Sequence, residues 1–182
     1  MQIEDERRWL LTSGMPSTSS LEHVRSEGFE HITQFYTPTT VGSQRFRKAV
    51  GTKGNHYTQT IKGPKNFSAG AEWEVDTEQW VYELMQNSSI GSVEKGRTTL
   101  WIENYLFELD EFMSDCTGLV IVELEFRVPP NTEADVVKAL HDEYRKCALP
   151  RVFGENREIT GDSSYSNYNL ALDGIPEIVY DH

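Results

Sequence analysis

The chain has 182 residues, of which 37% are hydrophobic and 25% are charged, and its formal net charge at pH 7 is −12. This composition is typical of a globular protein, and the length suits one core, so we expect residues 1–182 to form a single domain. The acidic balance argues against a general nucleic-acid surface, because duplex binding needs a basic footprint. A small anionic ligand is still allowed, since local charge can oppose net charge.

Three further classes of protein are disfavoured by the sequence: membrane-spanning, secreted and zinc-binding proteins. No apolar run approaches the roughly 20 residues of a membrane span, and the acidic N-terminal segment is unlike a secretory signal. Cys116 and Cys147 are the only cysteines, and they form no C-x-x-C pair of the kind that binds zinc. We therefore expect a soluble, cytoplasmic protein with no nucleic-acid or membrane partner.

Short strands bounded by turn residues dominate the pattern along the chain. In chain order, strands are predicted at 3–11, 30–36, 43–50, 56–61, 71–75, 92–102, 105–112 and 118–128. Many closely spaced antiparallel strands are typical of a barrel or a strongly curved sheet. The predicted fold class is therefore α+β, with an antiparallel barrel and a few helices packed outside it.

Four helices are expected around these strands. Ser20 is predicted to cap a short helix that ends near Gly28, and a last short helix is predicted at 168–172 within an otherwise irregular tail. The second helix is predicted to open at Thr77 and the third to run from a Thr132 cap to about Cys147. Their predicted buried faces consist of Trp80, Val81, Leu84 and Met85 in the second helix, and of Val136, Val137, Leu140 and Tyr144 in the third.

Charged residues alternate along several of the predicted strands. The alternating sets are Glu4, Glu6 and Arg8; Arg45 and Arg47; Glu72 and Glu74; and Glu123 and Glu125. Because residues i, i+2 and i+4 of a strand share one face, each set projects together. The strand with Glu123 and Glu125 carries a continuous apolar face on its other side. This pattern predicts that the charged faces point inward around a cavity and the apolar faces point outward beneath helices.

The charged residues form an acidic and a basic set whose chemistry is complementary. The acidic set is Glu4, Glu6, Glu72, Glu74, Glu108, Asp110, Glu123, Glu125 and Glu158, and the basic set is Arg8, Arg45, Arg47, Lys62, Lys95 and Arg97. Clustered carboxylates are costly to bury unless a cation compensates them. A hard divalent ion, Mg²⁺ or Mn²⁺, suits their oxygens, and arginine and lysine suit phosphate. The two sets together predict a metal and a polyphosphate held between them.

The same residues fall into blocks that resemble the CYTH superfamily, the triphosphate tunnel metalloenzymes. The blocks are E-x-E-x-R at 4–8, ITQFY at 32–36, QRFRK at 44–48, TIKG at 60–63, EWEV at 72–75, VEKGR at 93–97, YLFELDEF at 105–112, LVIVELEF at 119–126 and REITGDSSYSNYNLA at 157–171. They follow the family order from Glu4 to Ala171. A single E-x-E is weak evidence, whereas so many blocks in one order are specific.

The resemblance implies an eight-stranded antiparallel tunnel that binds a small-molecule triphosphate. It implies that the phosphates contact Arg45, Arg47, Lys62, Lys95 and Arg97, with Arg8 as a further phosphate-binding residue, and that Glu4, Glu6, Glu123, Glu125 and Glu158 bind or surround the metal. Glu72, Glu74, Glu108 and Asp110 are expected to support these sets. Arg8 and Tyr36 match the lysine and tyrosine that are thought to orient or activate water in hydrolytic members.

Four positions depart from the family pattern. Arg8 replaces the lysine of E-x-E-x-K, and an arginine keeps its proton near neutral pH, so it would bind or position rather than act as a base. Gly70 stands where many members carry an arginine, and Ser163 and Ser164 fill a turn that usually holds a basic residue. These changes weaken the expected grip on phosphate.

Three functions remain open at this stage. The first is a metal-dependent triphosphatase acting on inorganic tripolyphosphate or an organic triphosphate by attack of water on the terminal phosphorus. The second is a class IV-type adenylate cyclase, which would release cyclic AMP and pyrophosphate. The third is a non-catalytic module that binds a phosphorylated nucleotide. An outward apolar surface would also suit a homodimer.

Overall fold

The computed structural model describes residues 7–40, 42–52, 54–63, 72–126 and 132–177, without the side chain of Glu72. The described strands are β1 (Arg7–Leu11), β2 (Arg25–Thr37), β3 (Ser43–Gly51), β4 (Gly54–Lys62), β5 (Glu72–Asp76), β6 (Gly91–Ile102), β7 (Tyr105–Phe112), β8 (Val120–Glu125) and β9 (Asn156–Glu158). The described helices are α1 (Thr18–Leu21), α2 (Gln79–Gln86), α3 (Ala134–Tyr144) and α4 (Asn167–Asp173). This part of the chain is thus mostly antiparallel sheet with four helices, as predicted.

The nine strands form one sheet in the order β5-β4-β3-β2-β6-β7-β8-β1-β9. All eight predicted strands are present, and the ends that the structure describes shift by a few residues. Predicted strand residues 3–6, 71, 127 and 128 lie outside the described residues. The ninth, β9, pairs antiparallel with β1 and was missed. Its sequence, Asn-Arg-Glu, is three exposed polar residues long and carries no hydrophobic alternation, so no strand signal marks it.

The chain divides into two compact units, and β2, β6 and β7 each contribute residues to both. The first unit takes the described parts of 1–27, 98–110 and 120–160, and the second takes those of 28–97, 111–119 and 161–182. The core of the first unit contains Trp9, Leu11, Leu100, Phe107, Leu109, Val120, Val122, Leu124, Tyr144 and Phe153. The core of the second includes a cluster of Phe35, Phe46 and Tyr82, against which Val81 and Met85 of α2 pack.

The predicted buried face of α2 is partly wrong. Val81 and Met85 pack inward with Tyr82, but Trp80 and Leu84 are 64% and 59% exposed. Tyr82 is the buried residue of α2 instead, and its ring packs edge-on against the ring of Phe35 with centroids 5.0 Å apart. The helix begins at Gln79, after Glu78, and not at Thr77.

The other helices also differ in their ends and faces. Tyr144 is the buried residue of α3 and Val137 is half-buried, whereas Val136 and Leu140 are exposed, so only part of the predicted stripe is confirmed. Glu133 precedes α3 in the capping position without a side-chain bond, which corrects the predicted Thr132 cap. In α1 the cap is Ser17, whose hydroxyl accepts from the amide of Ser20, so Ser20 lies inside the helix.

None of the helices described is long and apolar enough to cross a membrane.

Candidate functional site

The second unit carries a polar sheet face built by β2, β3 and β4. Arg45 lies opposite Tyr36 and Thr60 in the strand register, and Arg47 lies opposite Gln34 and Thr58. Directly opposed residues of an antiparallel pair project to the same side, so these side chains share one face. Phe46, between the two arginines, points the other way into the core. The alternation of QRFRK thus separates the two predicted phosphate-binding arginines from the apolar layer.

Acidic and hydroxyl partners hold Arg45 in place. Its Nη2 donates to Oγ1 of Thr60 at 2.9 Å and to Oε2 of Glu74 at 3.0 Å, and the Thr60 hydroxyl donates to the same Glu74 oxygen at 2.7 Å. Glu74 was predicted as a supporting residue, and the structure places it against this arginine. Such a network orients a guanidinium before any ligand arrives.

Two more predicted basic residues belong to the same face. Nη2 of Arg47 lies 3.7 Å from Oε2 of Glu30, a looser ion pair than that of Arg45. Lys62 of β4 is half-buried and pairs in register with Ser43 and Glu72. Because strand residues two apart share a side, Lys62 lies on the face of Thr60 and Thr58.

Lys95 and Arg97 alternate along β6 and are both buried. Lys95 is only 2% exposed. Its Nζ lies 5.3 Å from the centroid of the Phe112 ring and 3.5 Å from Oδ1 of Asn167. A cation removed from water in this way attracts an anion more strongly than an exposed one. Asn167 opens α4, and sequence analysis did not predict its contact with a predicted phosphate-binding residue.

Tyr36 is buried beside two residues that sequence analysis did not single out. Nε2 of Gln34 donates to the Tyr36 hydroxyl oxygen at 2.9 Å, and the ring of Tyr168 packs edge-on against Tyr36 with centroids 5.1 Å apart. These contacts fix both the ring and the hydroxyl. Strand alternation already placed Gln34 on the side of Tyr36 and could have indicated it.

In the first unit, Arg8 forms a buried ion pair with Glu123. The two residues are directly opposed in the β1–β8 register, and Nε of Arg8 lies 3.0 Å from Oε1 of Glu123. Their side chains are only 11% and 8% exposed. Breaking a buried pair by removing one partner is costly, because the other charge then stays in a poorly solvated place. The pair therefore links the side chains of β1 and β8.

Further carboxylates line the strands next to this pair. Glu108 and Asp110 of β7 are buried and share one side of the strand, while Phe107 and Leu109 point to the core of the first unit. Glu125 is half-buried at the end of β8. Glu4 and Glu6 lie outside the described residues, as does Gly70.

Glu158 lies away from the Arg8–Glu123 pair. It is paired in register with Trp9, whose ring is in the core, so it projects to the opposite side of the sheet from Arg8. Arg7 binds both its oxygens, and the Thr160 hydroxyl donates to Oε1 at 2.8 Å. Burial opposes ionisation here, but these hydrogen bonds and the Arg7 charge outweigh it and lower the pKa of Glu158 below its ordinary value.

The described residues alone do not complete a metal centre. Among them, no group of three or more His, Cys, Asp or Glu side chains is arranged to hold a metal ion. Carboxylate oxygens are the right donors for Mg²⁺ or Mn²⁺, yet one oxygen of Glu123 faces Arg8 and both oxygens of Glu158 face Arg7. The predicted ligands Glu4 and Glu6 are not among the residues that the structure describes.

Comparison with known proteins gives the class to which this fold and these motifs belong. No protein-family model matches the chain. An inorganic triphosphatase of Nitrosomonas europaea is 30% identical over 138 residues, which are 75% of this chain and 79% of that protein. A crystal structure of an inorganic triphosphatase matches with a TM-score of 0.58 and 28% identity, covering 94% of this chain and 96% of that one.

A protein of Pyrococcus horikoshii supports the fold alone, with a TM-score of 0.51 and 18% identity over 84% of this chain and 92% of that one. The architecture and the ordered charged strands define a member of the triphosphate tunnel class. The chain belongs to the CYTH superfamily, in the same family as the Nitrosomonas europaea inorganic triphosphatase. Triphosphatases of this superfamily are generally metal-dependent.

Proposed function

We propose that the protein hydrolyses triphosphates, with inorganic tripolyphosphate as its substrate, by attack of water on the terminal phosphorus. The observation that carries the proposal is the pair Arg45 and Arg47, which stand on the polar face of β3 with acidic partners at 3.0 and 3.7 Å. The family relationship to an inorganic triphosphatase supports the same substrate.

The basic residues of the second unit are assigned to the phosphates. Phosphoryl transfer requires mostly positioning and neutralisation of charge. Arg45 is already oriented by Thr60 and Glu74, so little rearrangement is needed when a phosphate binds. Lys95 contributes a desolvated cation, and Lys62, Arg47 and Arg97 add charge along neighbouring strands.

Arg8 and Tyr36 are assigned to the reaction itself. Arg8 stays charged at any pH near neutrality, so its role is to bind and position a phosphate oxygen while Glu123 holds its guanidinium. Tyr36 has a fixed hydroxyl, because Gln34 donates to its oxygen, and this favours a role in orienting the attacking water.

We further propose that the metal is Mg²⁺ or Mn²⁺ and that Glu123 and Glu125 contribute oxygens to it together with Glu4 and Glu6. When bound, such an ion supplies additional positive charge to the phosphate oxygens. Glu108 and Asp110 are proposed to support this carboxylate set through their burial on β7.

The test compares two neighbouring cations of β3. Arg45→Gln removes charge-assisted hydrogen bonds, each worth about 1.5–3 kcal/mol, so KM for tripolyphosphate should rise roughly 10- to 100-fold. Lys48 lies on the same strand, with its Nζ 6.0 Å from the centroid of the Tyr57 ring. It faces away from Arg45 and Arg47, so Lys48→Gln should leave orthophosphate release unchanged. Equal kinetics in both variants would contradict the assignment of Arg45.

A further inference from the structure

Arg7 is the centre of a hydrogen-bond network on the core side of β1. Its Nε and Nη2 bind Glu158 at 3.1 and 2.9 Å, with Nη2 reaching both carboxylate oxygens. Its Nη1 donates to the carbonyl oxygens of Arg145 and Cys147, just after α3. The guanidinium carbon lies 4.8 Å from the centroid of the Trp9 ring. Arg7 thus joins β1, β9 and the chain that follows α3.

The same network reaches the backbone of Arg8. The Thr160 hydroxyl donates to Oε1 of Glu158 at 2.8 Å and accepts from the amide of Arg8 at 3.1 Å. The amide of Ile159 donates to the carbonyl of Arg8 at 2.9 Å. Both backbone polar groups of Arg8 are therefore held by residues 158–160.

We propose that Arg7, Glu158 and Thr160 form a positioning clamp for Arg8, and that Glu158 serves in this clamp and is not a metal ligand. The inference rests on the proposed function only in that Arg8 contacts the substrate there. Glu158 projects to the Trp9 side of the sheet, while the Arg8 side chain projects to the Glu123 side. Glu158 acts through the backbone of its neighbour and touches no reacting atom.

The geometry of the clamp explains why it is needed. β9 is three residues long and exposed, so strand pairing alone gives it little stability. The Arg8–Glu123 pair is buried, and a buried pair is favourable only when its geometry is well defined. The bidentate Arg7–Glu158 pair helps to fix the position of Arg8 in this geometry, because two parallel hydrogen bonds fix orientation as well as distance.

The test uses Glu158→Gln with Glu155→Gln as its matched control, since Glu155 is an exposed carboxylate just before β9. Glu158→Gln should raise KM for tripolyphosphate about tenfold, because small displacements of a binding group are costly. The same change should have no further effect in an Arg8→Gln background. The affinity for Mn²⁺, followed by electron paramagnetic resonance without substrate, should stay at the wild-type value.

The opposite pattern overturns the clamp. A Mn²⁺ affinity about tenfold weaker in Glu158→Gln would make Glu158 a metal ligand. An effect on KM that persists in the Arg8→Gln background would show that Glu158 acts independently of Arg8. If Glu158→Gln does not fold, Thr160→Val tests the same link, because it removes the hydroxyl but leaves the Arg7–Glu158 pair. Thr160→Ser should restore the wild-type KM.

Failure of the clamp and failure of the proposed function are distinguishable. A wild-type protein that releases no orthophosphate contradicts the proposed function alone. The clamp is then tested by the Nε–Hε resonance of Arg8 in ¹⁵N-labelled protein. Thr160→Val should shift or broaden this resonance and Thr160→Ser should not. An Arg8 resonance that is identical in wild type and Thr160→Val would overturn the clamp.

Discussion

At the scale of single residues, Arg8 decides how this chain differs from the family pattern it otherwise follows. The family lysine would stand at the same place in β1, opposite Glu123. A lysine loses its proton far more readily than an arginine, so it can assist water in a way that arginine cannot. Arg8, paired with Glu123, keeps the positive charge but cannot release a proton to act as a base.

Arg8→Lys should therefore raise kcat for tripolyphosphate. We expect about a tenfold increase above pH 8, because general-base assistance typically contributes at least that much. A new ionisation should appear in the pH profile of kcat. Arg8→Gln is the control, since it removes the charge without adding a base, and it should lower kcat/KM. A lysine variant no faster than wild type at any pH would contradict the expectation that Arg8 limits kcat.

The lowered pKa of Glu158 predicts a loss of folding stability at acid pH. Burial acts to raise its pKa, but the hydrogen bonds with Thr160 and Arg7 and the Arg7 charge together outweigh burial and lower the pKa in the folded protein. A lowered pKa means that the stabilisation is present above the unfolded-state value and is lost as pH falls through the folded-state value. Chemical denaturation from about pH 6 to pH 3 should show this loss in wild type and Glu155→Gln. The loss should be smaller in Glu158→Gln, and equal losses would contradict the assignment.

At the scale of elements, the packing of α2 against the sheet depends on one buried tyrosine, Tyr82. Tyr82 packs between Phe35 and Tyr57 with centroid distances of 5.0 and 5.4 Å. Burial, with a smaller contribution from Tyr57, raises the pKa of Tyr82 to about 12. Its neutral form is therefore favoured in the folded state far more than in the unfolded chain.

Alkaline pH should consequently weaken the packing of α2. A raised pKa gives stability that is complete below about pH 10 and is lost as pH rises toward about 12, with a slope of at most about 1.4 kcal/mol per pH unit. Tyr82→Phe keeps the ring and should remove this part of the slope. The free energy of unfolding of the two proteins, measured between pH 9 and pH 11.5 or so, should converge as pH rises. Parallel curves would contradict the prediction.

Gly91 controls how closely α4 approaches the start of β6. A Cβ at Gly91 would lie 2.3 Å from the backbone oxygen of Ala171, near the end of α4. Gly91→Ala should displace α4 and cost about 1–3 kcal/mol, as overpacking does. Because α4 carries Asn167 and Tyr168, the change should also raise KM through Lys95 and Tyr36. The exposed neighbour gives the control: Ser92→Ala should match wild type in both thermal unfolding and KM.

At the scale of the whole molecule, the strand pattern was predictable because alternation follows directly from the pleat of a strand. The strand from Tyr105 to Phe112 matches residue for residue. The buried faces of helices were less predictable. An eight-residue helix such as α2 has several apolar residues, and which of them is buried depends on tertiary packing. Leu84 and Trp80 are apolar by sequence, yet Tyr82 occupies the core.

The relative placement of the candidate site residues was predictable where it follows from strand alternation, and it was not predictable where it depends on segments that carry no sequence signal. Arg45, Arg47 and Lys62 share one face because their spacing is even. The contacts of Lys95 with Asn167 and of Tyr36 with Tyr168 depend on the placement of α4, which no periodicity in the sequence specifies. The position of Glu158 depends on β9, for which no strand was predicted.

The net charge of −12 and an anionic substrate are compatible because the basic residues are concentrated on strand faces and partly buried. The measurement that tests the central claim most directly is ³¹P NMR of the purified protein with tripolyphosphate, ATP or thiamine triphosphate, each with Mg²⁺ or Mn²⁺. We predict that tripolyphosphate releases orthophosphate fastest and that Arg45→Gln slows this release. Cyclic AMP and pyrophosphate from ATP, or binding of tripolyphosphate without any turnover, would contradict the account.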